Sequence, residues 1–182
     1  MHQMLRYSSS TTMASYSSSS SSSSLASQSS HPWTYDVFIS FRGEDTRRSF
    51  SGHLYETLCR TGLRTFIDDG ELQRGEEIAP SLVQAIQESN VAVVVFSKVY
   101  ASSTWCLDEL AKIVECHQTR GQILMPIFYG VDPSHIRNQS DNVATAFEKH
   151  EQNPRNAHNI QNWRSALTMT ANLSGLHSKD FK

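Results

Sequence analysis

Several features that would assign a class of function are absent from this chain of 182 residues. Its apolar runs fall well short of the roughly 20 residues that a membrane-spanning helix needs, and the region near the N-terminus lacks the apolar segment of a secretory signal. Lys and Arg never occur more than two in a row, and the formal net charge is -2, which argues against a nucleic-acid-binding surface. We therefore expect neither a membrane nor a nucleic acid as a partner.

Motifs that mark common enzyme sites are absent as well. The chain contains no G-x-x-x-x-G-K-[ST], no G-x-G-x-x-G after its first predicted strand and no G-x-S-x-G, which excludes the usual P-loop, dinucleotide and hydrolase signatures. Its three cysteines, Cys59, Cys106 and Cys116, and its eight histidines lack the spacing of metal ligands. We expect no bound metal, no resident cofactor and reduced thiols, as in an intracellular protein.

What the chain does contain divides into two regions. Residues 1–32 are dominated by serine, and no Asp or Glu precedes Asp36. Such a segment has too little apolar surface to offset the entropy of ordering it, so we predict a disordered leader followed by one folded domain at 33–182. A serine-rich, acid-free leader is also typical of chloroplast transit peptides. The expected location is the cytoplasm, together with the nucleus, and the chloroplast is the alternative.

The folded region alternates short apolar runs with helical patterns. This alternation, with short links, predicts a doubly wound parallel sheet, in which sites lie beyond the carboxyl ends of the strands. Strands are predicted at 35–40, 64–68, 91–97, 122–130 and 173–177, and helices at 49–62, 78–89, 102–117, 142–151 and 159–173.

The predicted helix at 102–117 carries residues that its amphipathic pattern does not explain. An apolar stripe runs along one side of it, formed by Leu107, Ala111 and Val114. Trp105 and Glu109 are one turn apart and lie away from the centre of that stripe. From spacing alone, Glu109 is a solvated helix glutamate whose replacement costs little stability. Asp108 is assigned to the polar side of the helix, where a paired lysine keeps it solvated.

Five sequence blocks, in this order, resemble those of plant TIR (Toll/interleukin-1 receptor) domains. They are YDVFISFRGEDTRRSF, FIDDGELQRGEEIAPSLVQAIQES, VVVFSKVYASSTWCLDEL, PIFYGVDPSHIRNQ and WRSALTMTANLSG, and they extend over about residues 33–177. The resemblance implies a flavodoxin-like α/β fold in which helices flank a parallel sheet of five strands. It also implies NAD+ glycohydrolase activity that depends on self-association and acts in plant immune signalling.

The resemblance assigns roles to individual residues of this chain. Glu109 matches the family's catalytic glutamate, and the residues that match its substrate-binding positions are Phe41, Arg42, Gly43, Arg47 and Trp105. Cys106 is similar to a cysteine tied to a second, nucleotide-cyclising activity, although a small buried apolar residue is the simpler interpretation. NAD+ or NADP+ would be the substrate. Other TIR domains would be the partners, including a neighbouring subunit whose BB loop completes the site.

Two departures from the family pattern bear on assembly. The resemblance assigns Gly52, His53 and Gly175 to assembly surfaces, but the family usually has Ser-His where this chain has Gly52-His53. We expect a monomer at micromolar concentration, and serine at position 52 to strengthen association. The family's final helix is also expected to be missing, which leaves one face of the sheet less covered.

The sequence leaves two alternatives open. The chain is either a TIR-only protein or a fragment of a longer TIR-type disease-resistance protein. Its function is either NAD+ hydrolysis or that of a non-catalytic TIR adaptor, which binds other TIR-containing receptors. The glutamate, tryptophan and arginine assigned above favour the hydrolase, whereas Gly52 favours the adaptor. The alternative for Arg42, Arg47 and Arg48 is a solvated loop.

Overall fold

The short apolar runs form five parallel strands in the computed structural model, which describes residues 33–68 and 79–180. The strands are β1 (Tyr35–Phe41), β2 (Thr65–Ile67), β3 (Ser89–Phe96), β4 (Ile123–Phe128) and β5 (Leu176–His177). Their order across the sheet is β2-β1-β3-β4-β5, and each neighbouring pair is parallel. This is the flavodoxin-like order of a doubly wound sheet, so the predicted fold class is confirmed.

Helices connect these strands and cover both faces of the sheet. They are α1 (Gly43–Thr46), α2 (Phe50–Arg60), α3 (Pro80–Gln87), α4 (Thr104–Arg120), α5 (Pro133–Asn138), α6 (Asn142–Glu151) and α7 (Ile160–Ala171). Five of them were predicted, with ends that differ by a few residues. The other two, α1 and α5, have 4 and 6 residues, which is too short to show a helical hydrophobic period.

Both faces of the sheet are apolar because successive residues of a strand point to opposite sides. On one face, Phe38 of β1 and Val94 of β3 are fully buried in a cluster to which α3, α4 and α7 contribute. On the other face, Ile39 and Val95 pack against α2, for example against Leu54. Burial on both sides explains why the sequence of β3 is almost uninterrupted in its apolar character.

The α2 face of the sheet is less covered at β4. Ile123 and Met125 align with Val91 and Val93 of β3, and they keep 51% and 38% of their surface exposed. Within the described residues, this part of the sheet is therefore the less covered part of that face.

Two segments that the sequence marks lie outside the described residues, namely the leader at 1–32 and, apart from Asp68, the charged run DDGELQRGEE at 68–77. Within the parts of the chain that are described, none of the helices is both long enough and apolar enough to cross a membrane.

Candidate active site

The first turn of α4 lies at the carboxyl edge of the sheet, where a doubly wound fold places its sites. A single 3-10 turn, Tyr100–Ser102, leads from β3 to this helix. Ser103 then caps α4, because its side-chain oxygen accepts a hydrogen bond from the backbone N–H of Cys106 at 3.3 Å. The cap fixes where the helix begins, so that Trp105 and Glu109 follow one turn apart.

The Glu109 carboxyl is buried against the end of β1. Only 3% of the residue is exposed, and its Oε2 lies 2.7 Å from the Oγ of Ser40, a fully buried residue of β1. The pKa of Glu109 rises to about 8 because burial disfavours the charged carboxylate. The hydrogen bond from Ser40 and the nearby indole of Trp105 lower this pKa, and the charges of Asp68 and Asp108 raise it. The Trp105 Nε1 is itself buried without a hydrogen-bond partner among the described residues. Burial therefore favours the protonated carboxyl group over the carboxylate.

The prediction that Glu109 is a solvated residue away from the core is wrong. The buried residues of α4 are Cys106, Leu107, Glu109, Leu110, Ile113 and Cys116. Ala111 and Val114, which belong to the predicted stripe, are only half-buried. A helical wheel ranks positions by apolar character, whereas burial depends on what packs opposite each position. Here a strand hydroxyl lies opposite the carboxyl, so alanine at 109 would leave a cavity in the interior.

A second buried hydroxyl continues this contact into α4. The Tyr100 Oη lies 2.9 Å from the Ser40 Oγ and donates a hydrogen bond to the carbonyl oxygen of Cys106 at 3.0 Å. Sequence reasoning did not select Ser40 or Tyr100 as site residues. The sequence did contain one indication of Ser40, because this serine lies inside the otherwise apolar end of the strand YDVFISF. A polar side chain buried in this way requires a hydrogen-bond partner.

Cys106 packs between α4 and β1. Its Sγ lies 3.6 Å from the carbonyl oxygen of Phe41, and burial raises the pKa of its thiol to about 12. A thiol in this state is a neutral packing group, in agreement with the simpler interpretation of the sequence. The second activity that the resemblance assigns to Cys106 stays a prediction.

The segment after β1, which was expected to be a loop, forms the short helix α1. Arg42 precedes it and pairs with Glu44, whose Oε2 lies 2.8 Å from the arginine Nη2. The Arg42 side chain is 28% exposed, so the ion pair is open to solvent. Gly43 begins α1 beside the guanidinium group of Arg47.

Arg47 folds back over the end of β1. Its Nη2 donates a hydrogen bond to the carbonyl oxygen of Asp68 at 2.8 Å, and its guanidinium carbon lies 5.3 Å from the centroid of the Phe41 ring. Because the Phe41 carbonyl also contacts Cys106, the first-loop residues and the first turn of α4 meet at the end of β1. The structure thus brings the predicted binding residues after β1 close to the helix turn that carries Trp105 and Cys106.

Asp108 has a structural role in joining two helices. Its Oδ1 accepts hydrogen bonds from Trp163 Nε1 at 2.7 Å and from Asn159 Nδ2 at 3.5 Å. Trp163 belongs to α7 and is 1% exposed, so this carboxylate satisfies a buried indole N–H. The interpretation of Asp108 as a merely solvated polar residue is therefore wrong.

The sequence profile of the TIR domain family matches residues 34–182. The chain belongs to the TIR domain family. Disease resistance proteins of plants are among its relatives. TMV resistance protein N of Nicotiana glutinosa is 54% identical over 151 residues, which are 82% of this chain and 13% of that protein. Disease resistance protein RPV1 of Vitis rotundifolia is 56% identical over 147 residues, which are 81% of this chain and 10% of that protein.

A solved structure agrees with the fold of this TIR domain. The TIR domains of the activated Roq1 resistosome, which directly recognises the pathogen effector XopQ, superpose with a TM-score of 0.73 at 52% sequence identity. The match covers 81% of this chain and 90% of that chain. By contrast, this TIR domain spans only 13% and 10% of the lengths of the two resistance proteins above.

Two of the three residues assigned to assembly, Gly52 and Gly175, lie where the surrounding atoms leave no room for a side chain. A Cβ at Gly52 would overlap the carbonyl oxygen of Arg47, which packs against the first turn of α2. A Cβ at Gly175 would lie 2.6 Å from the carbonyl oxygen of Pro126 and 2.8 Å from the Phe128 ring. Helix propensity favours serine over glycine at position 52, but this close contact disfavours any side chain there, and the expected effect of serine on association stays a prediction. His53 is exposed on α2, and its role in assembly stays a prediction.

Proposed function

We propose that this TIR domain is an NAD+ glycohydrolase, which cleaves the bond between nicotinamide and ribose, and that Glu109 is its catalytic residue. The observation that carries the proposal is the buried Glu109 carboxyl at the carboxyl edge of a parallel sheet, with the Trp105 indole one turn before it. A raised pKa in such a position is a physical mark of a functional group.

The chemistry requires a single carboxylate. When the C1′–N1 bond breaks, its electron pair goes to nicotinamide, which leaves as a neutral molecule. Positive charge then develops on the ribose, and an ionised Glu109 would stabilise it or hold a ribose hydroxyl. Water adds to C1′ and loses a proton, which gives ADP-ribose. Since nicotinamide needs no proton to leave, the second carboxyl group of ordinary glycosidases is unnecessary.

Residues around Glu109 suit the rest of the nucleotide. The indole of Trp105 offers a face for ring stacking, a contact worth roughly 1–3 kcal/mol with a base. Arg42 is suited to a phosphate, because its present ion pair with Glu44 is solvent-exposed and such pairs contribute only about 0–1 kcal/mol. The accessible end of the guanidinium group, whose Nη2 now pairs with Glu44, is the part that a phosphate oxygen would contact.

The other predicted binding residues lie together at the end of β1. Phe41 and Gly43 border Arg47, whose guanidinium group is held by the Asp68 carbonyl and the Phe41 ring. We therefore assign to Arg47 the positioning of the first loop, and to Arg42 the direct contact with phosphate. NADP+ would meet the same residues and is an alternative substrate. No resident cofactor enters this proposal.

The proposed biological role is plant immune signalling through association with other TIR domains. The relatives named as disease resistance proteins support this role, and the TIR domains of the Roq1 resistosome support association between TIR domains.

Nicotinamide release from NAD+ by the purified chain tests the proposal. Glu109→Gln should abolish release, because the amide keeps the volume of the side chain but cannot carry the negative charge. Glu115→Gln is the matched control, since Glu115 lies on the same helix in an exposed pair with Lys112. We expect this control to retain full activity. Undiminished release by a folded Glu109→Gln variant would refute the assignment.

A non-catalytic adaptor is the second candidate, favoured by the 3% exposure of Glu109. In this case the wild type would bind other TIR domains but release no nicotinamide at any protein concentration. Binding by Glu109→Gln would then equal that of the wild type. Release that depends on Glu109 would exclude the adaptor as the sole function.

A further inference from the structure

Three buried oxygen-to-oxygen contacts form a continuous chain that ends at Glu109. The Glu109 Oε2 lies 2.7 Å from Ser40 Oγ, Ser40 Oγ lies 2.9 Å from Tyr100 Oη, and Tyr100 Oη lies 3.0 Å from the carbonyl oxygen of Cys106. Ser40 and Tyr100 are both completely buried. Each contact is short enough for a hydrogen bond and therefore needs one proton between its two oxygens.

An ionised Glu109 leaves this chain one proton short. Ser40 and Tyr100 each carry one hydroxyl proton, and the Cys106 carbonyl carries none. If Ser40 donates to the carboxylate and Tyr100 donates to the Cys106 carbonyl, the 2.9 Å contact between the two hydroxyl oxygens has no proton. If Tyr100 instead donates to Ser40, its 3.0 Å contact with the Cys106 carbonyl is lost.

A protonated Glu109 satisfies all three contacts at once. The carboxylic acid donates to Ser40, Ser40 donates to Tyr100, and Tyr100 donates to the Cys106 carbonyl. We infer that Tyr100, by accepting the Ser40 proton, leaves Ser40 as an acceptor for Glu109 and so favours the neutral acid in this conformation, and that Tyr100 is a positioning residue for the catalytic group. The role of Tyr100 in catalysis rests on the proposed function, whereas the protonation state of Glu109 does not depend on it.

The charged surroundings of Glu109 act in the same direction. Asp68, at the end of β2, and Asp108, on α4, both favour the neutral acid. The Cys106 thiol, on the same helix, is itself held neutral by burial. Burial of Glu109 adds to these effects and raises its pKa to about 8. The groups that favour ionisation are the Ser40 hydroxyl, which can donate a hydrogen bond to the carboxylate, and the nearby Trp105 indole, and neither of them carries a charge.

This chain of hydrogen bonds predicts that removing its two hydroxyls shifts the titration midpoint of Glu109 in opposite directions. In Tyr100→Phe, the Ser40 proton no longer has a second acceptor, so Ser40 donates to the carboxylate without losing a contact, and the titration midpoint of Glu109 should fall. In Ser40→Ala, the loss of the charge-assisted hydrogen bond to the ionised carboxylate outweighs the loss of the weaker hydrogen bond from the neutral acid, so the midpoint should rise. A hydroxyl that acts only through packing would produce neither shift.

The test is a 13C NMR titration of the wild type with 13C-labelled glutamate carboxyl groups, in which Glu109→Gln assigns the Glu109 signal. We expect Tyr100→Phe to lower the midpoint by about half to one pH unit, and Ser40→Ala to raise it by a similar or larger amount. Tyr35→Phe and Ser89→Ala are matched controls at the opposite end of the sheet, and they should leave the midpoint unchanged.

Two outcomes would overturn the inference. The first is a titration midpoint of Glu109 in the wild type near the ordinary glutamate value of about 4.3. This measurement requires no variant, so it remains decisive even if a variant fails to fold. The other is a shift of both hydroxyl variants in the same direction, or of neither. The titration does not require catalysis, so opposite shifts in a protein that releases no nicotinamide would refute the proposed function alone. Nicotinamide release without these shifts of the Glu109 midpoint would refute the hydrogen-bond chain but not the proposed function.

Discussion

The proton on Glu109 links the stability of this domain to pH. The pKa of this carboxyl is about 8 in the folded state and 4.5 as the ordinary value, so the folded state holds a proton that the unfolded state releases between these values. Its contribution to stability is complete below about pH 4.5 and is lost as the pH rises towards 8. Glu109→Gln cannot titrate, and its amide can still donate to Ser40.

As the pH rises from about 5 to about 8, the wild type should lose a pH-dependent contribution to stability, whereas Glu109→Gln should lose none at this position. The thermal midpoint of Glu109→Gln minus that of the wild type should therefore increase over this interval. Thermal unfolding followed by circular dichroism at several pH values measures the difference. Glu115→Gln should show no such trend, because this side chain is solvent-exposed. Parallel pH profiles for the wild type and Glu109→Gln would show that Glu109 is ionised in the folded protein.

The same proton predicts how catalysis depends on pH. If the ionised carboxylate stabilises the positive ribose, nicotinamide release should rise as the pH increases towards about 8 and then level off. Tyr100→Phe should move this rise to lower pH, in step with its effect on the NMR titration. A rate that falls over the same pH interval would mean that the protonated form of Glu109 is the active one.

Asp108 offers a prediction about stability that is independent of catalysis. Asp108→Ala removes the acceptor of the buried Trp163 indole N–H, which should cost about 1–3 kcal/mol of unfolding free energy. Chemical denaturation of Asp108→Ala, Trp163→Phe and the double variant isolates the contact, since the two losses should not add. Strictly additive losses would contradict it. Nicotinamide release should persist in folded Asp108→Ala.

At the scale of elements, the sequence pattern predicted the parts whose burial repeats along the chain. β1 and β3 are covered on both faces and are therefore apolar nearly throughout, which made them recognisable. The site itself depends on contacts between distant segments. Ser40 and Glu109 are 69 positions apart, so no local pattern indicates that the glutamate is buried. The family motif identified Glu109, whereas the contacts with Ser40 and Tyr100 required the fold.

The junction between α1 and α2 explains why position 52 is a glycine. Helix propensity alone favours serine there, but any Cβ would overlap the Arg47 carbonyl oxygen. We predict that Gly52→Ser lowers stability by about 1–3 kcal/mol and does not strengthen association. Thermal unfolding and sedimentation velocity of the variant measure both effects. His53→Ala is the control for stability alone, because the His53 side chain is exposed and its loss should leave the thermal midpoint unchanged. Greater stability or tighter association of Gly52→Ser would contradict the clash.

At the scale of the whole molecule, the described conformation and the proposed reaction differ in what they require. Glu109 is 3% exposed and held as a neutral acid, whereas the reaction needs an ionised carboxylate in contact with ribose. The proposed reaction therefore requires a competent state that differs from the described one. Any contact between TIR domains that favours the competent state would raise the activity by that shift in population.

We therefore predict that nicotinamide release per molecule increases with protein concentration and with macromolecular crowding, starting from a monomer at micromolar concentration. Sedimentation velocity and nicotinamide assays over the same concentration series would measure association and activity together. His53→Ala should weaken both while leaving the thermal midpoint unchanged, because His53 is exposed on α2 and lies outside the chain of contacts to Glu109. Activity per molecule that is constant across the series, in a protein that remains monomeric, would show that one domain reaches the competent state unaided.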